Sequence, residues 1–520
     1  MGTRAVPGPT AVARRLAGWA GVGSAGLALG LTELVAGLTD NVPSAVSAVG
    51  SYLIDIAPTA VKDFGIRVFG TADKGALGIG TVLVSLVLGY LAGRAALRRR
   101  RIGFAAFAVL AVVGILAAFG QPSYQPLLTI LAIAASATMG AVVLDRLLDR
   151  VDAMRAPAPT DGLPGDNGRR RFIARTAGVG AAAALAGVAG RNLIIRRSEE
   201  VRTSVALPSA VDPVAAPAPA ASFAVAGLTP IVVPNDDFYR IDTALVVPRP
   251  DVETWSMRFT GMVDNPYQLT YADLLAMPLV EEYVTLSCVS NEVGGGLVGN
   301  ARWLGVPLAD LLERAGVQEG ADQIVGRAVD GFTVGFPTPV AFEERRALVA
   351  VGMNGEPLPP AHGFPARLVV PGLYGYVSAT KWLEEIELTT WDAFDAYWVP
   401  RGWAKEGPIK TQSRIDVPRD GQTVSGAPLV VAGVAWAPTK GITAVEVRVD
   451  DGEWTQTELS QPLSDAAWVQ WTTATTLDPG SRHTLQVRAT DGTGETQTPT
   501  RTPVAPDGAS GWHTIGFRTA

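Results

Sequence analysis

Thr285-Leu286-Ser287-Cys288-Val289-Ser290-Asn291-Glu292-Val293-Gly294-Gly295-Gly296 carries the only cysteine of a 520-residue chain. The run before it, Tyr283-Val284-Thr285-Leu286-Ser287, alternates like a strand, so Cys288 closes a strand and opens a loop. A lone thiol is ordinarily a small buried hydrophobe. The three glycines that follow weigh against that reading, because they let backbone approach a bulky neighbour, as a large ligand requires. A single cysteine excludes an intramolecular disulfide and any Cys-rich zinc or iron–sulfur site. The three histidines are His362, His483 and His513. No histidine in the first third rules out a bis-histidine haem there, and the lack of a Cys-x-x-Cys-His run rules out an attached one, so no haem is expected.

Downstream, His362-Gly363-Phe364-Pro365-Ala366-Arg367-Leu368-Val369-Val370-Pro371-Gly372 precedes Tyr374-Gly375-Tyr376 and Ser378-Ala379-Thr380-Lys381-Trp382. A His, an Arg and a Lys punctuate an otherwise apolar, Gly/Pro-bent segment. Cations on such a scaffold suit a phosphate or another anion; taken singly, they also suit surface ion pairs and a satisfied core histidine. Tyr271 to Leu275 starts a helix, and Leu308 to Ala315, stopped by Gly316, is another. From near Ile415 the texture changes. Ala444 to Asp450 and Thr484 to Ala489 alternate with period two and end at the Asp451-Gly452 and Asp491-Gly492 turns. About seven short strands over roughly 100 residues predict an immunoglobulin-like sandwich, with His483 and His513 in structural roles.

The first 195 residues are of another kind. The chain is 48% hydrophobic and 18% charged, and the apolar excess sits here. Leu16 to Leu38, Ala76 to Ala92, Ile102 to Phe119 and Leu127 to Leu144 meet or nearly meet the length that crosses a bilayer, with Glu33 the only charge among them. A fifth run, Ala177 to Gly190, is shorter. Arg4, Arg14 and Arg15 precede the first run, Arg98 to Arg101 follow the second, and Arg146, Arg150, Arg155 and Arg169 to Arg171 follow the fourth. An N-terminus inside the cytoplasmic membrane puts all of these inside and, after five crossings, everything past residue 195 outside. The loop after the first run mixes Asp40, Asp55, Lys62, Asp63 and Arg67. Glu33 is a functional candidate by position; its plainer reading is snorkelling near the outer interface. Arg169-Arg170-Arg171-Phe172-Ile173 resembles a twin-arginine export signal, which would carry an already folded protein. Residues 196–234 are Pro/Ala-rich and read as a semi-extended tether. The net charge of −6 gives no general invitation to nucleic acid.

Together, the segments Thr285–Asn291, Ala301–Val317, His362–Gly375 and Lys381–Leu388 resemble the molybdopterin domain of the sulfite oxidase family, from about Asn235 onward. The resemblance implies a molybdenum–molybdopterin cofactor with Cys288 as its protein thiolate, catalytic and metal-binding at once; a soft thiolate suits such a metal. It implies pterin and phosphate contacts from His362, Arg367, Ser378, Thr380 and Lys381, and an opening segment of Asn235, Phe238, Tyr239 and Arg240. It further implies Tyr397, in the aromatic stretch Trp391 to Trp403, near the substrate, and dimerisation through the last domain. The chain departs from the family at Glu292-Val293, where basic residues are usual, and at Arg240-Ile241-Asp242-Thr243. A carboxylate beside the metal would repel an anionic substrate. The expected architecture is multi-domain: an α-helical transmembrane bundle (1–195), a linker (196–234), an α+β molybdopterin domain (235–410) and an immunoglobulin-like β-sandwich (411–520). The expected activity is oxygen-atom transfer on a small-molecule substrate outside the membrane, with membrane lipid around the bundle and a separate electron carrier, protein or quinone. The rival reading is a cofactor-free, membrane-anchored binding or assembly module.

Overall fold

The computed structural model describes residues 10–39, 41–57, 68, 73–119, 121, 124–154, 166–244, 246–425 and 428–520. Arg4, Asp40, Lys62, Asp63, Arg67 and Arg155 of the charge pattern above lie outside them. The chain divides into two compact units: Met1–Glu200 with Ala244–Pro248, and Val201–Thr243 with Arg249–Ala520.

The first unit is helical: α1 (Ala11–Leu38), α2 (Ala45–Ile56), α3 (Asp73–Ala96), α4 (Arg100–Ala118), α5 (Pro126–Ala153) and α6 (Asp166–Ser204). Among the described residues, five of these are long and apolar enough to cross a membrane, all but α2. Small residues let the helices touch: a Cβ at Gly89 would come within 2.6 Å of the Ala25 methyl carbon, and one at Gly93 within 3.0 Å of the Gly21 nitrogen. Glu33 does not snorkel. It is buried and accepts from Ser44 Oγ (2.7 Å) and the Val46 amide (3.3 Å), so it satisfies the start of α2, whose amides have no partner within the helix. Arg100 binds three carboxylates of α5, Asp145 (3.5 Å), Asp149 (3.1 Å) and Asp152 (2.6 Å). The fifth apolar run is part of a helix of 39 residues. The Arg169–Arg171 cluster lies within its first turns, and Phe172 is buried.

Among the described residues the second unit holds four sheets, mostly antiparallel. Its strands are β1 (Ser256–Gly261), β2 (Tyr267–Thr270), β3 (Val280–Ser287), β4 (Val298–Pro307), β5 (Gln323–Ala328), β6 (Thr333–Pro337), β7 (Leu348–Met353), β8 (Glu356–Pro357), β9 (Arg367–Val369) and β10 (Leu383–Thr389). They form the sheets β2-β1-β10-β5-β6 and β3-β4-β7-β8, with β9 beside β7. Two helices appear where the sequence signals place them. α7 (Tyr271–Leu275) starts on a Thr270/Asp273 capping box, and α8 (Leu308–Ala315) ends at Gly316 with φ 69°. A third, α9 (Gly375–Ser378), is a single turn.

Beyond these, nine strands follow among the described residues: β11 (Gln412–Val417), β12 (Thr423–Val424), β13 (Leu429–Trp436), β14 (Ile442–Val449), β15 (Thr455–Gln456), β16 (Glu458–Leu459), β17 (Val469–Thr475), β18 (Arg482–Asp491) and β19 (His513–Thr519). They make two sheets, β11-β13-β17-β16 and β12-β19-β18-β14-β15. Val431 and Trp471 of the first share one buried core with Val447, Val487 and Phe517 of the second.

The expected linker is corrected in two ways. Its first nine residues continue α6 to Ser204, because this arginine- and glutamate-rich stretch still favours helix and proline first enters at 208. The remainder is not a slack tether. Asp212 bridges to Val280, Gln461 donates its amide to the Ala220 carbonyl at 2.9 Å, and Ile231 receives the Trp468 indole and the Asn300 carboxamide, each at 2.8 Å. Composition marks a chain poor in regular structure, and backbone groups supply these contacts.

Candidate active-site cleft

Cys288 sits where β3 ends, its amide bonded to the Leu297 carbonyl at 2.9 Å. The loop it opens packs on protein at two of its three glycines. Gly294 (φ 82°) lies so close to the His513 imidazole that a Cβ would overlap it, and a Cβ at Gly295 would meet Asn291 Oδ1 at 2.6 Å. Gly294 is needed for packing against β19 and Gly295 for closing the loop on Asn291, whereas Gly296 has open space around it. His513 is structural: its Nδ1 accepts the Ile415 amide at 3.0 Å.

A cleft enclosing about 930 Å³ of open space, mouth included, brings Cys288 together with Phe238, Tyr239, His362, Arg367 and Lys381. These come from four separate stretches of chain. Gly363, with φ 112°, makes the convergence possible: a Cβ there would sit 3.0 Å from Arg367 Cβ and 3.1 Å from Lys381 Cα. Phe238 meets the His362 ring edge-on at 5.5 Å and the Trp303 ring at 5.9 Å. The Arg367 guanidinium lies 5.0 Å over Trp303 and donates to the His362 carbonyl at 3.0 Å.

Five of the sequence candidates lie off the cleft wall. Asn235 acts through its carbonyl, which accepts from His362 Nε2 at 3.1 Å. A carbonyl only accepts, so Nε2 carries the proton and Nδ1 the lone pair. Arg240 binds Asp242 at 2.8 Å. Ser378 is spent inside α9, donating to the Tyr374 carbonyl at 3.1 Å. Thr380 is fully buried, with its Oγ1 against Gly326; among the described residues that oxygen has no hydrogen-bond partner. A strand-like alternation hides these two: the residues that reach the cleft are their neighbours Ala379 and Lys381. Tyr397 is likewise replaced by Trp398 and Trp403, which line the cleft, while Tyr397 packs against Phe332 at 5.6 Å and under Arg401 at 3.7 Å.

The acidic residues at the cleft are not the one singled out from the sequence. Glu292 is exposed and absent from the wall; Asp242 and Asp330 line it. Asp242 binds Lys381 Nζ at 2.7 Å, so the Arg-Ile-Asp-Thr departure contains the partner of the buried lysine. Asp330 accepts the Phe332 amide at 3.2 Å, and burial, helped by Asp242, pushes its carboxyl above the ordinary range. Both aspartates sit in plain loop sequence, and only the departure from the family pattern marked one of them.

Burial governs the electrostatics. It pushes His362 down to about 4, with Arg367 and Lys381 adding to the shift, so the ring is neutral near pH 7. It pushes Lys381 down to about 8 against the pull of Asp242, and Arg367 down to about 10. It pushes the Cys288 thiol up, against hydrogen bonds from Ser290. Among the described residues no carboxylate lies within ion-pair distance of Arg367. A buried guanidinium on a cavity wall without a carboxylate calls for an anionic ligand. A buried thiol beside it keeps its proton until a metal displaces it. No group of three or more His, Cys, Asp or Glu that could hold a metal by itself is present among the described residues. The wall therefore fits a metal that brings most of its own ligands on an anionic organic carrier: thiolate on one side, guanidinium and ammonium on the other.

That is the site of a molybdopterin-type oxidoreductase. Residues 244–398 match the oxidoreductase molybdopterin binding domain. The uncharacterized oxidoreductase YuiH of Bacillus subtilis (strain 168) is 36% identical over 157 residues, 30% of this chain and 76% of that protein. Human mitochondrial sulfite oxidase is 30% identical over 287 residues, 46% of this chain and 52% of that protein. The sulfane dehydrogenase SoxCD of Paracoccus pantotrophus is similar with 25% identity and a TM-score of 0.48, over 57% of this chain and 85% of that one. The chain belongs to the sulfite oxidase family of molybdopterin-binding oxidoreductases, and its cofactor is molybdenum–molybdopterin. It spans about half the length of the mitochondrial sulfite oxidases it matches.

Proposed function

We propose that this protein is a membrane-anchored oxidoreductase that moves an oxygen atom to or from a small substrate outside the cytoplasmic membrane and exchanges electrons with a separate carrier. The observation that carries the proposal is the convergence of Cys288, His362, Arg367 and Lys381 on one cleft. When bound, the cofactor supplies the redox metal at which oxygen is exchanged. Cys288 gives it a thiolate. Arg367 and Lys381 hold the cofactor's phosphate, with Asp242 fixing the lysine. Neutral His362, its Nε2–H anchored on Asn235, offers Nδ1 as an acceptor, and Phe238 with Tyr239 forms an apolar wall. Trp398 and Trp403 narrow the mouth and exclude water from the reacting end.

With Arg367 and Lys381 committed to the phosphate, no further cation among the described residues lines the cleft, and the rest of the wall is aromatic and apolar side chains with the two aspartates, Asp242 and Asp330, and a few neutral polar groups. This favours an uncharged substrate over an oxyanion such as sulfite. The arginine-rich ends of the long helices support an N-terminus inside and the cleft outside, and Arg169–Ile173 supports twin-arginine export of a protein loaded before transport. The two sheets of residues 411–520 support an immunoglobulin-like domain through which two copies pair.

Metal analysis of the purified full chain tests the proposal, together with Cys288→Ser and assays of sulfite oxidation against reduction of methionine sulfoxide. We expect about one molybdenum per chain in the parent, loss of turnover in Cys288→Ser, and preference for the uncharged substrate. A metal-free parent, matched in every property by Cys288→Ser, would favour the cofactor-free module instead.

A further inference from the structure

α1 and α3 run antiparallel, since Gly18 faces Tyr90, Gly21 faces Gly89 and Gly26 faces Leu86. At one end of this crossing a shallow recess is lined by Ala11, Arg14, Arg15, Tyr90 and Arg94. Three guanidinium groups share it, and among the described residues none of the three has a carboxylate within ion-pair distance. Arg100, in the same unit, has three. The cations of the recess therefore do not serve to pin helices together.

Three further features point to the ligand. The recess receives the start of α1, where amide groups unpaired within the helix add positive potential. Tyr90 packs edge-on against the exposed ring of Trp19 at 6.2 Å, and both ring types collect at headgroup depth. Below the recess, Val84, Val87 and Leu91 are exposed and share the α3 face that Arg94 ends. From Val84 to Arg94 the helix rises about 15 Å, half the thickness of a bilayer's hydrocarbon. An apolar stripe one leaflet deep, topped by three unpaired arginines, has the polarity of a phospholipid.

We propose that this recess binds the phosphate of an anionic glycerophospholipid, with an acyl chain lying along Val84, Val87 and Leu91. Arginine's planar fork suits a phosphate better than a lysine would. The proposal rests on the reading that α1 and α3 cross a membrane.

The test is native mass spectrometry of the full chain in detergent, titrated with phosphatidylglycerol, cardiolipin, phosphatidylcholine or inorganic phosphate. The parent should retain one anionic lipid and neither phosphatidylcholine nor free phosphate. R14Q/R15Q/R94Q should weaken retention about 150-fold, taking each arginine near a membrane surface at its usual contribution, and R94Q alone about fivefold. R98Q/R99Q/R101Q, which removes neighbouring charges outside the recess, should retain lipid like the parent. Equal thermal melting of parent and R94Q without lipid separates lost binding from lost folding. Equal retention by parent and triple variant overturns the proposal, as does equal loss in the control triple variant or equal binding of inorganic phosphate. If carbonate washing releases the chain from membranes, the membrane reading itself fails. If the chain stays membrane-bound without discriminating among lipids, only the recess proposal fails.

Discussion

Gly294→Ala should damage the protein, and Gly296→Ala, two residues along the same loop, should not. At Gly294 the backbone has φ 82°, and the added methyl would overlap Cδ2 and Nε2 of His513. The ring cannot swing away freely, because its Nδ1 holds the Ile415 amide at 3.0 Å. A non-glycine residue in left-handed backbone costs about 1–2 kcal/mol, and overpacking a fitted contact costs about 1–3 kcal/mol. The sum, about 2–5 kcal/mol, corresponds to a melting temperature lower by roughly 3–8 °C in a unit of this size. At Gly296 a Cβ meets nothing within 4 Å, so the change should stay within about 0.5 kcal/mol. The displacement also reaches the site. The loop closes on Asn291 Oδ1, which accepts the Leu297 amide at 2.8 Å, and Leu297 in turn holds the Cys288 amide. Thermal melting in detergent at one scan rate, with molybdenum content measured on the same samples, checks both effects. If Gly294→Ala melts with the parent and keeps its metal, or if both alanines are equally harmful, the packing argument for these glycines is wrong.

Arg367→Gln should lower molybdenum retained through gel filtration by roughly 50-fold, since it removes a buried cation from its anion, and Arg367→Lys should not restore it; full retention in either variant would contradict the assigned phosphate contact. Trp398→Ala should raise KM for an uncharged substrate about tenfold while leaving metal content unchanged, and unaltered kinetics would remove the tryptophan from the mouth. Burial, reinforced by Arg414, pushes His513 down to about 4 from 6.5. The unfolded chain therefore binds the extra proton first, so this contribution to stability is complete above pH 6.5 and is lost as pH falls toward 4. It amounts to roughly 2–3 kcal/mol, and His513→Asn should flatten the decline in melting temperature over that interval.

Much of the site was legible because its chemistry sits in unusual places. A cysteine closing a strand, and a histidine, arginine and lysine breaking apolar runs, stand out against their surroundings, and all four reach one cleft. The family resemblance joined them; spacing alone did not. What escaped was direction. Ser378 and Thr380 alternate with the residues that face the cavity, and Tyr397 lies one position from the tryptophan that does. Asp242 and Asp330 are ordinary loop aspartates until the fold brings Lys381 beside them. Glu33 drew notice as a charge in an apolar helix, but its partner, the start of α2, was not foreseen from the sequence. The helix start at Tyr271 and the Leu308–Ala315 helix, stopped by Gly316, were readable because such end signals are local.

The stretch from Val205 to Pro234 decides where the chain can be cut. A soluble version begun at Asn235, where the composition turns globular, would strip the acceptor at Ile231 from both the Trp468 indole and the Asn300 side chain, and the one at Thr229 from the Gln470 carboxamide. Each stranded donor lies in the interior, so such a fragment would be prone to misfold for reasons unrelated to its catalytic residues. Starting immediately after α6 keeps those partners, and so keeps a failed expression from being mistaken for a failed enzyme.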